Sequence, residues 1–243
     1  MNKKYIIFNW KMNFTVSESI EFSNNILKPI SNFKNKNFEV IICPSFMSLP
    51  FNYQILSSLV KFGAQNISHN HGKNGSYTGE ISANMVSDYA DYVILGHSER
   101  RINFHESNKN IDNKRKLSLE NGLKPIICIG ENLDLRKSGK YLEYLTTQLN
   151  ESVTTKTPIN LIAYEPIWSI GTGTNCSLEK VLEISNLSKS IIGDDTIFIY
   201  GGSVNKDNIS EYLSSPEIGG VLVGSASLDK NSVEEMLNII DAN

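Results

Sequence analysis

The chain has 243 residues, 40% hydrophobic and 20% charged, with a formal net charge of -3, enough for one large α/β domain or two small ones. That balance gives no reason to expect a nucleic-acid or membrane partner, and no apolar run approaches the ~20 residues of a membrane span. Three cysteines, Cys43, Cys128 and Cys176, form no CxxC pair, so neither a disulfide framework nor a zinc site is expected, and a reducing, cytoplasmic setting fits best.

Apolar runs of strand length recur along the chain: Tyr5 to Phe8, Glu39 to Cys43, Val60 to Gln65, Tyr92 to Leu95, Pro125 to Ile129, Leu161 to Tyr164, Ile197 to Tyr200 and Gly220 to Val223. The first is too short for a secretory signal and is followed by Lys11. Between the runs lie segments of helical period. Tyr141, Leu142, Leu145 and Leu149 form one apolar face, and Leu178, Val181, Leu182 and Ser185 another. Val233, Met236, Leu237 and Ile240 form a third, for which Ser232 and Glu235 suggest a capping box. Spacing of roughly thirty residues is that of a βα unit. Eight such units without a linker predict a single domain over residues 1–243, an α/β (β/α)8 barrel of eight parallel strands ringed by helices.

In such barrels chemistry sits where strands end and βα loops begin. Asn9-Trp10-Lys11-Met12 follows the first strand, where a lysine either holds an anion at the barrel mouth or is simply a surface charge. Ala64-Gln65-Asn66 ends the third and opens a long polar loop with His69, His71, Tyr77 and Thr78; two histidines without a third ligand do not make a metal site. Gly96-His97-Ser98-Glu99-Arg100-Arg101 follows the fourth. Ser98 and Glu99 read as the first turn of a helix whose positive end disfavours protonation of His97. Cys128 is expected to pack beneath the site.

The sixth run delivers Glu165 into Pro166-Ile167-Trp168-Ser169-Ile170-Gly171-Thr172-Gly173-Thr174. Pro166, Ile167 and Trp168 stiffen the first half of this loop; Gly171 and Gly173 let backbone N–H groups approach an anion in the second. A lone carboxylate at a strand end is as readily structural. Gly201-Gly202-Ser203 after the seventh run and Gly224-Ser225-Ala226 after the eighth expose further N–H groups, and with Gly171 they converge on a dianion.

Four of these strings, Asn9 to Met12, Gly96 to Arg101, Tyr164 to Thr174 and Tyr200 to Val204, resemble the triosephosphate isomerase family in order and cover the chain from end to end. The resemblance implies Glu165, His97 and Lys11 as catalytic groups, and Asn9, Lys11, Gly171, Ser203, Gly224 and Ser225 as substrate contacts. It implies Glu99 as an acid close to Lys11, and Ile170 and Leu222 as apolar clamps on Glu165. Glu131 would brace the 166–174 lid through Trp168. It further implies a homodimer in which the 67–80 loop plugs into the partner subunit, with Thr78 near the partner's catalytic groups. Thr174 stands where the family commonly has Lys, and Ser225 where it often has Gly.

The expected reaction is proton transfer α to the carbonyl of a small phosphorylated triose, with no metal or cofactor motif in the chain. Two alternatives stay open on sequence alone: a Schiff-base aldolase using Lys11, and a silent phosphate-binding scaffold.

Overall fold

The structure, a computed structural model, describes residues 3–70, 73, 75–155, 160–169 and 175–242. The eight runs become strands β1 (Lys4–Asn9), β2 (Phe38–Cys43), β3 (Lys61–Ala64), β4 (Tyr92–Leu95), β5 (Lys124–Ile129), β6 (Asn160–Tyr164), β7 (Thr196–Tyr200) and β8 (Gly220–Val223). All pair in parallel and in chain order, and β1 bonds to both β2 and β8, closing the barrel. β3 is shorter than its apolar run. Val60 N–H is taken by Leu56 O at the end of the preceding helix, and Gln65 leaves the ladder to serve the barrel mouth.

The two-residue period of a strand sorts side chains into two cores. Ile7, Ile94, Cys128, Ala163, Ile199 and Leu222 belong to the cluster inside the barrel, while Ile6, Phe8, Val93, Leu95, Ile162 and Tyr164 join the layer between strands and helices. Two residues further along each strand, the inward register reaches Asn9, Gly96, Gly130, Glu165, Gly201 and Gly224, the rim of the mouth. Glycine dominates that ring, which leaves room for the side chains that are present.

The outer layer is made by α1 (Val16–Asn32), α2 (Leu49–Leu56), α3 (Ala83–Ser87), α4 (Ser98–Asn103), α5 (Asn108–Glu120), α6 (Leu133–Lys137), α7 (Tyr141–Ser152), α8 (Leu178–Ile192), α9 (Ile209–Ser214) and α10 (Lys230–Asp241). Thr15 and Glu18 form a capping box on α1. The expected box at Ser232 and Glu235 is absent: α10 starts earlier, with Asp229 accepting from Ser232 N at 2.7 Å. A carboxylate at the N-cap satisfies that donor and complements the helix dipole, so Ser232 is already in the first turn. Leu142 also departs from expectation. It is 38% exposed, because the buried face of α7 runs through Leu145, Gln148, Leu149 and Ser152. Among the described residues no helix is long and apolar enough to cross a membrane.

Candidate active site

Three strands deliver the charged groups. At the end of β1, Asn9 is 5% exposed and its Oδ1 accepts the Lys11 N–H at 3.0 Å. That bond folds the chain back and holds Lys11 at φ 52°, a left-handed conformation that costs a non-glycine residue on the order of 1 kcal/mol or more. Gln65 helps to hold it there, since its Nε2 donates to Lys11 O at 2.8 Å and Cys43 O at 2.9 Å. Lys11 Nζ then reaches across the mouth to Glu99 Oε1 at 2.7 Å.

At the end of β4, Gly96 turns the chain with φ +69°, and a Cβ there would meet Ile111 at 2.5 Å. The turn makes His97 the N-cap of α4, and Nδ1 accepts the Glu99 N–H at 3.3 Å. Glu99 Oε2 also lies 3.5 Å from Nδ1, and the two neighbours demand opposite roles of that nitrogen. The amide is always a donor and makes the hydrogen bond, whereas Oε2 stands at the far limit of hydrogen-bond distance and the charge of its carboxylate is met by Lys11 at Oε1. Nδ1 is therefore the acceptor, and the proton of the neutral ring is assigned to Nε2.

Glu165 follows β6 and is 1% exposed. Its N–H bonds to Ile129 O at 2.7 Å, and its Oε2 accepts the Ser98 N–H at 2.8 Å, a charge-assisted bond from the first turn of α4. Oε1 lies 3.2 Å from His97 Nε2 yet has no hydrogen-bond partner among the described residues. The neighbours are small by necessity. A Cβ on Gly130 would sit 1.9 Å from the Glu165 carbonyl oxygen, and one on Gly201 would sit 3.2 Å from its Cγ and 3.5 Å from Leu222 Cδ2. Glu165 and Leu222 thus both border Gly201. Cys128 lies beneath, as expected; burial, and then the Glu165 carboxylate, push its thiol well above the usual range.

Lys11, Glu99, His97 and Glu165 consequently form one continuous file. Beside it stand the Gly and Ser turns. Gly201 N bonds to Tyr164 O at 2.8 Å, and Ser203 Oγ donates to Ser169 O at 2.5 Å. Gly224 sits over Lys11, whose Cε would lie 3.4 Å from an added Cβ, and Ser225 is exposed at the start of a 3-10 turn. Ile170 and Gly171 lie outside the described residues. Thr78 is exposed on the turn at 77–80.

The 3-10 turn Ile167–Ser169 is anchored from below. Glu131 Oε1 accepts from Trp168 Nε1 and from Tyr164 OH, both at 3.0 Å, as the motif implied for Trp168. Glu131 is fully buried with Oε2 unpartnered among the described residues, and burial raises its carboxyl above the usual range despite the donors Trp168 and Tyr164 and the positive charge of Arg136. Motif reading missed Gln65 and Gly130. Both follow from the inward register of β3 and β5, which places any residue two positions beyond a core-facing one at the mouth.

The chain matches the family model described as triosephosphate isomerase over residues 4–242. A triosephosphate isomerase of Mycoplasmopsis pulmonis is 41% identical over 244 residues, covering 98% of this chain and 98% of the relative. Others from Dictyoglomus thermophilum and Aquifex aeolicus are 42% and 39% identical, covering 96% and 97% of this chain and 97% and 98% of the relatives. A carboxylate, an imidazole and a lysine filed across a glycine-rimmed barrel mouth, with this likeness over nearly every residue, mean that the chain belongs to the triosephosphate isomerase family, a family of isomerases.

Proposed function

We propose that the whole chain acts as one domain that interconverts dihydroxyacetone phosphate and D-glyceraldehyde 3-phosphate through an enediolate, as an aldose–ketose isomerase of glycolysis and gluconeogenesis. Glu165 takes the proton from C1 of the ketose; the C–H electron pair becomes the C1–C2 double bond, and the C2 carbonyl oxygen takes a proton from His97 Nε2. In the second half His97 Nε2 takes back a proton from the C1 hydroxyl, the O–H electron pair forms the C1 carbonyl, and the C1–C2 double-bond pair takes the proton from Glu165 at C2. Lys11 and Asn9 stabilise the charge on the enediolate oxygens. Backbone N–H groups at Gly171, Ser203, Gly224 and Ser225 hold the phosphate, and Ile170 and Leu222 shield Glu165 from water when the 166–174 lid covers the mouth.

The observation that carries this reading is the pairing of an orphaned, buried Glu165 Oε1 with His97 Nε2 at 3.2 Å. A coupled assay on dihydroxyacetone phosphate tests it: turnover by the wild-type chain and none by Glu165→Gln is the expected result. A Glu165→Gln chain that still turns over would remove the base from the scheme. The Schiff-base alternative has less support, because Lys11 is engaged in an ion pair with Glu99 at 2.7 Å rather than standing as a free amine.

The second part of the proposal is a homodimer through the 67–80 loop, with Thr78 reaching the partner's site. Its support is exposed apolar surface on the elements around that loop: Met12 at 97%, Met85 at 55% and Phe104 at 64%. Gln65 and Asn66 tie the start of the loop to Lys11 and Lys114, so these elements adjoin one another. Surface of this kind marks an interaction site. Three buried free thiols agree with a cytoplasmic enzyme.

A further inference from the structure

Residues 170–174 are flanked by two points of attachment, and both lead to the same βα unit. Before them, Ser169 O accepts from Ser203 Oγ at 2.5 Å. After them, the backbone of Cys176 is gripped on both sides: its N–H donates to Tyr200 OH at 3.4 Å, and its C=O accepts from Tyr212 OH at 2.7 Å. Tyr200 ends β7, Ser203 lies in the turn that follows, and Tyr212 belongs to α9. The two tyrosine rings are 4.0 Å apart between centroids, and both side chains are fully buried with Cys176.

The turn between the tyrosines is shaped to permit this. A Cβ on Gly202 would sit 2.2 Å from Tyr200 Oη and 3.0 Å from Ser169 Oγ. Asn208 Nδ2 donates to Ser203 O at 2.9 Å, fixing the start of α9 to the same turn. The Gly201–Ser203 turn and the chain leaving residue 174 are therefore locked in one register by buried hydrogen bonds, and in the second of these Tyr212 OH supplies the donor.

We propose that Tyr212 is a positioning residue for the isomerase reaction: its hydroxyl holds the trailing end of the flap to the unit that carries the phosphate turn. The inference rests on the reading of 166–174 as a flap. Without the hydroxyl, the buried Cys176 loses the donor to its carbonyl, and an unmade buried bond is costly. The flap then closes in a poorer register over the phosphate. A loose cover lets the enediolate expel its phosphate: the C–O bond breaks with the enediolate electron pair moving into the new double bond, and the products are methylglyoxal and inorganic phosphate.

The test is Tyr212→Phe in the full chain, which keeps the stacked ring and deletes only the hydroxyl. With dihydroxyacetone phosphate as substrate, kcat is expected to fall about tenfold, KM to stay within about twofold, and phosphate released per isomerisation to rise about tenfold. Ile184→Val, in the buried face of α8, is the control for stability alone and should lower Tm without changing that ratio. A Tyr212→Phe chain that loses Tm but keeps wild-type kcat and phosphate release overturns the inference. Deletion of residues 170–173 separates the two layers. If the deletion releases no phosphate, the flap reading fails and the inference with it; if it does release phosphate while Tyr212→Phe behaves as wild type, only the inference fails.

Discussion

His97 Nε2 and Glu165 Oε1 stand 3.2 Å apart, but the ring N–H is not aligned on that oxygen, which is left without a hydrogen bond among the described residues. Imidazole and carboxylate are adjacent without a hydrogen bond joining them. Oε2 is anchored on Ser98 N, so the carboxylate is fixed through one oxygen and idle at the other. A buried carboxylate oxygen held in this way costs stability in the free protein.

Shortening and neutralising Glu165 should accordingly have different signatures. Glu165→Asp withdraws the carboxylate by one methylene and is expected to lower kcat by about 10²-fold or more with little change in KM. Glu165→Gln should abolish turnover yet leave Tm equal to or above wild type, since it removes an incompletely partnered buried charge. Steady-state kinetics and thermal melts check both; a Gln variant that melts well below wild type would mean that the ionised carboxylate stabilises the fold.

Gly130 sets the position of Glu165 from the neighbouring strand. With a Cβ 1.9 Å from Glu165 O, Gly130→Ala must push β6 away or twist its end. We expect a loss of about 1–3 kcal/mol in stability from overpacking, together with about 10²-fold in kcat from the displaced carboxylate. Denaturant melts and kinetics on the folded fraction would reveal a different outcome, namely lost stability with intact kcat, if the strand yields without moving Glu165.

Glu131 offers a test by pH. Burial raises its carboxyl in the folded state, so the fold favours the protonated form; that contribution is complete below the ordinary glutamate value and is lost as pH rises through the folded one. Glu131→Gln mimics the protonated form and has nothing to lose. The Tm of the variant minus that of wild type should therefore grow from about pH 4 to about pH 8, by a few degrees. A difference that shrinks with rising pH would show that Trp168, Tyr164 and Arg136 outweigh burial.

The dimer reading is checked by charge. Met12→Glu with Phe104→Glu introduces carboxylates into surface that is 97% and 64% exposed in the single chain, so the isolated barrel should fold as before. Sedimentation is expected to shift from a dimer to a monomer and kcat to fall about tenfold or more as partner contacts near Thr78 are lost. Wild-type protein that sediments as a monomer while fully active would remove both the interface and the role of Thr78.

Sequence by itself determined the alternation of strands and helices, because a two-residue apolar period and a 3.6-residue one are local properties of the chain. It also determined that Asn9, His97 and Glu165 lie just at or beyond strand ends, and therefore at one end of any parallel barrel. Where local signals compete, the outcome was decided elsewhere: Asp229 took the cap of α10 from Ser232, and the packing of α7 turned Leu142 outward. Only the tertiary structure could decide that Glu165 rests on Ser98 N and that Tyr200 and Tyr212 share the backbone of Cys176. Each of these joins residues from different βα units, and barrel closure, which no local pattern encodes, sets the distance between them.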